Sequence, residues 1–452
     1  MSFIKRYLVP KFNKLNISNK NFLKMDHKNC YDPENKKFWC KECVPGSIIK
    51  GWTSGNDDID NFIKDTIYNV SNGDYDGDDY YPLFLEWVPF DRFEDMKQIG
   101  EGGFAKVYSA TWIDGAAKYT KQDDGSWVKI RPKSIKVALK RLNESQNMSS
   151  DYLNELKIYW NLYICEYNYL HFYGMTKDPK TEEFMMITQF ADKGNLRSIL
   201  SSNFYNILWH DKIKYLYHSA IDLKNLHSLG FFHKDFHSGN ILNTSLHTSE
   251  CSNNDNSNVS YLSDFGLSGP SNKQKSDNKI CGVLPYIAPE VLNGKPYTLS
   301  SDIYSFGVVM AELSSGKPPF HNRKHDINLA LEICNGLRPA FGKGTPEIYK
   351  KLAHRCMNAN PNQRPTANEL YEILDYWTDD KVNEKYAKEV KAVFEEADGE
   401  IPNISTVYEK DPDAIYTSRV FTFKNLSKPI NSSSITTLYL NEENNKEGQS
   451  SN

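Results

Sequence analysis

The sequence predicts an α+β fold in two lobes: a small antiparallel β lobe carrying one helix, then a larger and mainly helical lobe, with a small N-terminal Cys/His module ahead of both. Three observations carry that expectation. Strand-like runs over 93–99 and 106–112 flank a glycine-rich turn, and a third run over 135–141 alternates toward Lys140. A stretch with helical spacing, 150–163, follows and carries Glu155. Beyond it, segments such as 211–228 and 302–314 have the apolar period of helices rather than strands.

Composition narrows the class. The chain has 452 residues, 39% of them hydrophobic and 25% charged, which is long enough for more than one domain. A net charge of -4 argues against a nucleic-acid partner, which selects clustered positive charge. The best apolar run, around Phe306 to Leu313, is far too short to cross a membrane. The eight cysteines are irregularly spread, a pattern that fits reduced thiols in a cytoplasmic protein better than a disulfide framework.

Taken in order, residues 1–24 carry Lys5, Arg6, Lys11, Lys14, Lys20 and Lys24 and no acid, which reads as a basic disordered leader, with an organelle signal as the alternative. Within 25–50, His27, Cys30, Cys40 and Cys43 form two ligand pairs. Four N/S donors suit tetrahedral Zn²⁺, against unligated thiols or a Cys-x-x-Cys redox pair. Residues 51–90 read as a polar linker. Its acidic run at 72–79 lacks the glycine and glutamate spacing that a calcium loop requires. Residues 91–378 form the two-part domain, interrupted by polar insertions at 118–129 and 244–258. A helix is expected within 379–399, packed on the domain or docking a partner, and 400–452 reads as a mostly disordered tail.

Within 91–378, chemistry-bearing residues recur in an informative order. Gly100, Gly102 and Gly103 let a turn approach phosphate oxygens closely and expose backbone N–H groups, with Ala105 where a third spaced glycine would fall. Lys140 ends a strand, where an ammonium can neutralise α- and β-phosphates, and Glu155 can orient it. In His233-Lys234-Asp235-Phe236-His237-Ser238-Gly239-Asn240, Asp235 can accept or orient a substrate hydroxyl. Asn240 and Asp264, the latter in Asp264-Phe265-Gly266, offer the hard oxygen ligands that Mg²⁺ prefers.

Together with Ala288-Pro289-Glu290, these segments resemble a eukaryotic protein kinase. The resemblance implies an enzyme that uses ATP and Mg²⁺ to phosphorylate Ser or Thr hydroxyls of protein substrates in intracellular signalling. It implies ATP contacts from Ile99, Gly100, Gly102, Gly103, Val107, Ala138, Lys140, Thr188, Gln189 and Ala191, with Thr188 opening the hinge 189–191. It pairs Glu290 with Arg364 inside the larger lobe, and has Asp302 anchor the catalytic loop from below. Ser268, Ser271 and Ser276 fall where activation-loop phosphorylation is expected.

Two positions depart from the serine/threonine pattern. His237 stands where a lysine is usual, and Val283 falls in the segment where a threonine is usual; both normally hydrogen-bond around the catalytic aspartate. A pseudokinase scaffold is therefore the alternative reading, and tyrosine specificity stays open. The segments Trp52-Thr53-Ser54-Gly55-Asn56, 233–240 and 412–419 are similar to the expanded tyrosine-kinase-like family of arbuscular mycorrhizal fungi, which places the resemblance in the tyrosine-kinase-like group. A small-molecule kinase is disfavoured, because Ala288-Pro289-Glu290 and a long activation segment belong to kinases of protein substrates.

Overall fold

A computed structural model describes residues 48, 51–68, 73–76, 79–102, 105–121, 127–130, 133–146, 148–165, 169–245, 258–270, 280–378, 385–423, 426–431 and 433. The basic leader, all four Cys/His ligands, Gly103, Ser271, Ser276 and the core of the 244–258 insertion lie outside the described residues. Those described fall into two units, 1–87 with 113–135 and 88–112 with 136–452.

In the first unit, a linker expected over 51–90 is instead built around the helix Asp57–Tyr68. Asn56 caps it, its side-chain oxygen accepting from the N–H groups of Asp58 and Ile59 at 3.0 and 3.1 Å. Asp57, Asp58 and Asp60 in the first turn complement the positive helix terminus. Ile59, Phe62, Ile63 and Ile67 recur at helical spacing and are buried. The Asp60 carboxylate accepts from the Thr53 hydroxyl at 2.6 Å and the Ser54 N–H at 2.8 Å. The Trp52–Asn56 segment is thus the folded entry to a helix. The apolar stripe was masked in composition by the acids between its members. Two antiparallel hairpins accompany it: Gly73–Asp76 with Asp79–Pro82, and Lys118–Lys121 with Trp127–Ile130.

The second unit begins with strands β1 (Phe93–Glu101), β2 (Ala105–Trp112) and β3 (Ile135–Leu142), then helix α1 (Ser150–Cys165), β4 (Phe172–Lys177) and β5 (Phe184–Gln189). Their order across the sheet is β4-β5-β3-β2-β1. Alternation along β3 buries Val137 and Leu139 completely on one face. Ala138 and Lys140 therefore fall on the opposite face.

The larger lobe contains α2 (Leu196–Asn203), α3 (Trp209–Ser228), the strands β6 (Ile241–Ser245), β7 (Asn258–Leu262) and β8 (Ile280–Gly282), and the helices α4 (Leu299–Ser315), α5 (Ile327–Cys334), α6 (Glu347–Cys356) and α7 (Ala367–Thr378). Helix α4 is buried on nearly all sides, its polar members Asp302, Ser305 and Glu312 included; Thr298 and Ser301 close a capping box at its start. A Cβ at Gly307 would lie 2.7 Å from the Cys356 Cβ, so this glycine sets how closely α4 and α6 approach.

Helix α8 (Lys385–Asp398) packs on this lobe, as expected of one of the two readings offered for that segment. Phe394 sits 5.8 Å from the Trp209 ring and 5.3 Å from that of Trp377. Asp398 accepts from the Trp209 N–H at 2.7 Å, supplying the cap that Leu208 cannot. Composition predicts a mostly disordered tail over 400–452, but residues 400–423 are packed along the lobe. Ala414 is fully buried, and the strand β9 (Arg419–Phe421) pairs antiparallel with β8. Hydrogen bonds to folded backbone hold this tail more than its own apolar content does, which is why composition misses it.

Lys212 in α3 is buried with no hydrogen-bond partner for its ammonium among the described residues. It lies over the rings of Phe204 and Trp209, at 4.3 and 4.7 Å. Burial depresses it from 10.5 to about 8, with Asp398 working the other way. Between those two values the unfolded chain binds the proton and the folded chain does not, so stability rises with pH across that window. Lys212→Met removes the slope, and it raises stability near pH 7 by an amount on the order of 1 kcal/mol. Thermal melts of both proteins from pH 7 to 10.5 read this out. Parallel curves would contradict it.

Candidate active site

The Lys140 ammonium at the end of β3 lies 2.5 Å from Glu155 Oε1, on α1, and 2.8 Å from Asp264 Oδ1. Three segments remote in sequence thus meet on one nitrogen. Burial would lower the Lys140 pKa, but Asp264 and Glu155 outweigh it and hold the ammonium well above its usual range. Burial raises Glu155 above the usual carboxylate range, with Lys140 opposing it. The Asp264 side chain is 46% exposed. Its φ of 65° is in the left-handed region, where a non-glycine residue is held only by its surroundings. One restraint is the Tyr159 hydroxyl, which accepts from the Asp264 N–H at 2.8 Å.

A column of rings supports this cluster. Phe265 packs against Tyr159 at 4.7 Å and His233 at 5.2 Å, and Tyr159 against Phe172 at 6.1 Å. Beneath it, buried Asp302 accepts from the N–H groups of His233 and Lys234, at 2.8 and 2.9 Å, and from the Tyr297 hydroxyl at 3.0 Å. His227 Nε2 is 2.9 Å from the same carboxylate. These donors fix Lys234 at a φ of 70°, and so set where the next residue, Asp235, points.

Around Asp235, the Asn240 amide donates to the Asp235 carbonyl at 3.0 Å. His237 Nδ1 accepts from the Gly239 N–H at 3.0 Å. In the neutral ring the proton is therefore on Nε2, which faces Asp235 Oδ2 at 3.7 Å. His237 thus turns a donor toward the carboxylate. Val283 offers none, and Asp235 Oδ1 is buried without a hydrogen-bond partner among the described residues. Asp235 Oδ2 accepts a close hydrogen bond from the Ser418 hydroxyl of the tail.

The remaining sequence-derived residues are placed as follows. Gly100 lies opposite Val107 in the β1–β2 pair, and the Gly102 N–H donates to the Ala105 carbonyl at 2.9 Å. Thr188 is buried and lies opposite Ala138. Gln189 ends β5, with Ala191 just beyond, while Ile99 is 50% exposed. The buried Glu290 carboxylate receives two bonds from Arg364, at 2.8 and 2.7 Å. The Ser268 hydroxyl donates to the His233 carbonyl at 3.1 Å, so it braces the 233–240 loop. Sequence reasoning did not find Ser418, nor the cluster beside it in which Glu312 accepts from Tyr286 and Ser238, at 2.6 and 2.8 Å. The segment 412–419 stands out only by its family likeness, and nothing local assigns Ser418 a role, because Asp235 is 183 residues away, as Ser238 is 74 residues from Glu312.

The family described as protein tyrosine and serine/threonine kinase matches residues 93–374. The chain belongs to this family. It is 29% identical over 284 residues to a serine/threonine-protein kinase of Dictyostelium discoideum, covering 62% of this chain and 15% of that protein. It is 28% identical over 337 residues to a serine/threonine-protein kinase/receptor of Acanthamoeba polyphaga mimivirus, covering 71% and 18%. A second Dictyostelium discoideum serine/threonine-protein kinase is 26% identical over 313 residues, covering 66% and 16%. The chain therefore spans less than a fifth of each of these relatives.

Val283→Thr brings a hydroxyl into the segment beside the unpartnered Asp235 Oδ1. A second bond restricts the carboxylate to one orientation, so under the kinase reading proposed below kcat rises by roughly threefold or more while KM stays within about a factor of two. Steady-state kinetics of the two proteins test this. An unchanged kcat would mean that His237 and Asn240 already fix Asp235.

Proposed function

We propose that this chain is an active ATP-dependent protein kinase of the tyrosine-kinase-like group that phosphorylates serine or threonine hydroxyls of protein substrates. The observation that carries the reading is the Lys140 ion cluster, with Glu155 and Asp264 both on its ammonium. A paired lysine next to a half-exposed carboxylate is the arrangement that receives phosphate oxygens together with their metal.

The donor set suits Mg²⁺. Among the described residues no three His, Cys, Asp or Glu side chains come together to hold a metal by themselves. One Asp264 carboxylate plus the Asn240 amide oxygen leaves the other positions to phosphate and water, which is how Mg²⁺ is usually held. When bound, Mg-ATP supplies the phosphoryl group and the positive charge that offsets the leaving phosphates. Lys140 holds the α- and β-phosphates, oriented by Glu155. Gly100 and Gly102 have no side chains to block the approach of the phosphates, and the β5 end from Thr188 to Ala191 takes the adenine, with Ile99, Val107 and Ala138 covering it. Asp235 orients the acceptor hydroxyl and receives its proton, and His237 keeps a donor beside that carboxylate, in place of lysine.

Incorporation of labelled phosphate from Mg-ATP into a serine/threonine/tyrosine peptide array tests the reading. Asp264→Ala lowers incorporation by about a hundredfold or more without loss of fold, checked by circular dichroism. Equal incorporation by both proteins would refute the kinase reading. A folded wild type with no incorporation would favour the pseudokinase scaffold.

We infer, from ligand spacing, that His27, Cys30, Cys40 and Cys43 hold a structural Zn²⁺. Metal analysis of the purified full chain gives about one zinc per chain, lost in the Cys40→Ser, Cys43→Ser variant. Absence of stoichiometric zinc at neutral pH sinks this assignment. The resemblance of residues 52–56, 233–240 and 412–419 to the expanded fungal kinase family supports serine or threonine as the acceptor, and the scattered cysteines support a cytoplasmic location.

A further inference from the structure

The tail beyond α8 does more than pack on the large lobe. The His325 N–H donates to the Asp413 carbonyl at 3.1 Å, and the Tyr416 hydroxyl to the Pro319 carbonyl at 2.8 Å. Arg197 lies 4.9 Å beneath the Tyr416 ring and donates to the Tyr416 carbonyl at 3.2 Å. These contacts deliver Ser418 to the catalytic loop, where its hydroxyl donates to Asp235 Oδ2. The next three residues pair antiparallel with the activation segment: Arg419 opposite Gly282, Val420 opposite Cys281, and Phe421 opposite Ile280.

This is the geometry of a bound peptide substrate. An extended segment adds a strand to an exposed edge, and main-chain hydrogen bonds supply the affinity. One hydroxyl is presented to the carboxylate that would take its proton. Gly282 belongs to the arrangement: its φ of 134° is closed to most side chains, and an added Cβ would lie 3.5 Å from Asp235 Oδ1. The edge strand and the carboxylate can therefore lie against the same short peptide.

We propose that residues 413–421 are an intramolecular substrate of this kinase and that Ser418 is its phosphoacceptor. The proposal rests on the kinase reading above. In the step, Ser418 Oγ forms a bond to the terminal phosphorus of ATP while the bond from that phosphorus to the ADP oxygen breaks. The hydroxyl proton passes to Asp235 Oδ2, and ADP leaves. The phosphoserine formed carries close to two negative charges beside Asp235, so repulsion drives the strand out and frees the groove for other substrates.

The full chain is incubated with Mg-ATP and a serine peptide over a hundredfold range of chain concentration, and phosphosites are mapped by mass spectrometry. The expected result is phosphate on Ser418 at a first-order rate independent of concentration, absent in Ser418→Ala. Phosphorylation of the peptide with Ser418 left bare overturns this proposal alone. So does a Ser418 rate proportional to chain concentration. Transfer to neither acceptor overturns the kinase reading and this proposal together. A second measurement needs no nucleotide: amide hydrogen exchange of Arg419–Phe421 in wild type and Ser418→Glu. The added carboxylate faces Asp235, so exchange at these amides accelerates by about tenfold or more while the rest of the lobe is unchanged. Equal protection in the two proteins means that Ser418 is not held by Asp235, and overturns the proposal.

Discussion

Asp302 is a fully buried carboxylate whose two oxygens accept from two consecutive backbone N–H groups and a tyrosine hydroxyl, with His227 alongside. Burying a charge without partners costs several kcal/mol, so the loop must come to this carboxylate or the lobe does not close around it. Much else depends on that constraint. It holds Lys234 in the left-handed region, sets the direction of Asp235, and seats His233 where Phe265 packs against it. Phe265 in turn positions Asp264, which shares the Lys140 ammonium with Glu155. The acidic and basic residues of the cleft are therefore tied to α4, at the centre of the larger lobe, through a continuous run of hydrogen bonds and ring contacts.

The two sides of the cleft differ in how they are held. On the phosphate side, the charged groups compensate one another closely, and burial is offset by opposite charge. On the acceptor side, Asp235 has one oxygen unpartnered and the other shared between a histidine and a tail serine. Replacement of lysine by His237 keeps a donor in place, because the Gly239 N–H fixes the ring tautomer. The valine at 283 leaves no equivalent. Asp235 is the carboxylate of the site that the tail reaches.

Much of the small lobe was legible in the chain. The alternation over 135–141 places Lys140 and Ala138 on one face, and strand β3 has that pattern of burial. The helical spacing around Glu155 and the apolar runs of α3 and α4 match the observed elements within a few residues at each end. The helix Asp57–Tyr68 was hidden, because three acids in its first turn make the stretch look like a linker although they stabilise the helix there. The tail was hidden for another reason. Its segment 404–421 is held by backbone hydrogen bonds, the Arg197–Tyr416 stack and strand addition, none of which leaves a periodic apolar signature.

By itself the sequence determined the kinds of chemical groups available and their order: a glycine turn, a lysine on a strand, a glutamate on a helix, and two aspartates with an asparagine between them. Spacing along a strand or helix fixes the face on which a residue lies, since that is a local property of backbone geometry. Only the tertiary structure decided that Lys140 meets Glu155 and Asp264 on one nitrogen, that Asp302 braces the catalytic loop, and that Ser418 ends against Asp235. Such meetings join residues up to 183 positions apart. They follow from how buried charges and unpaired strand edges find their partners once the core has formed.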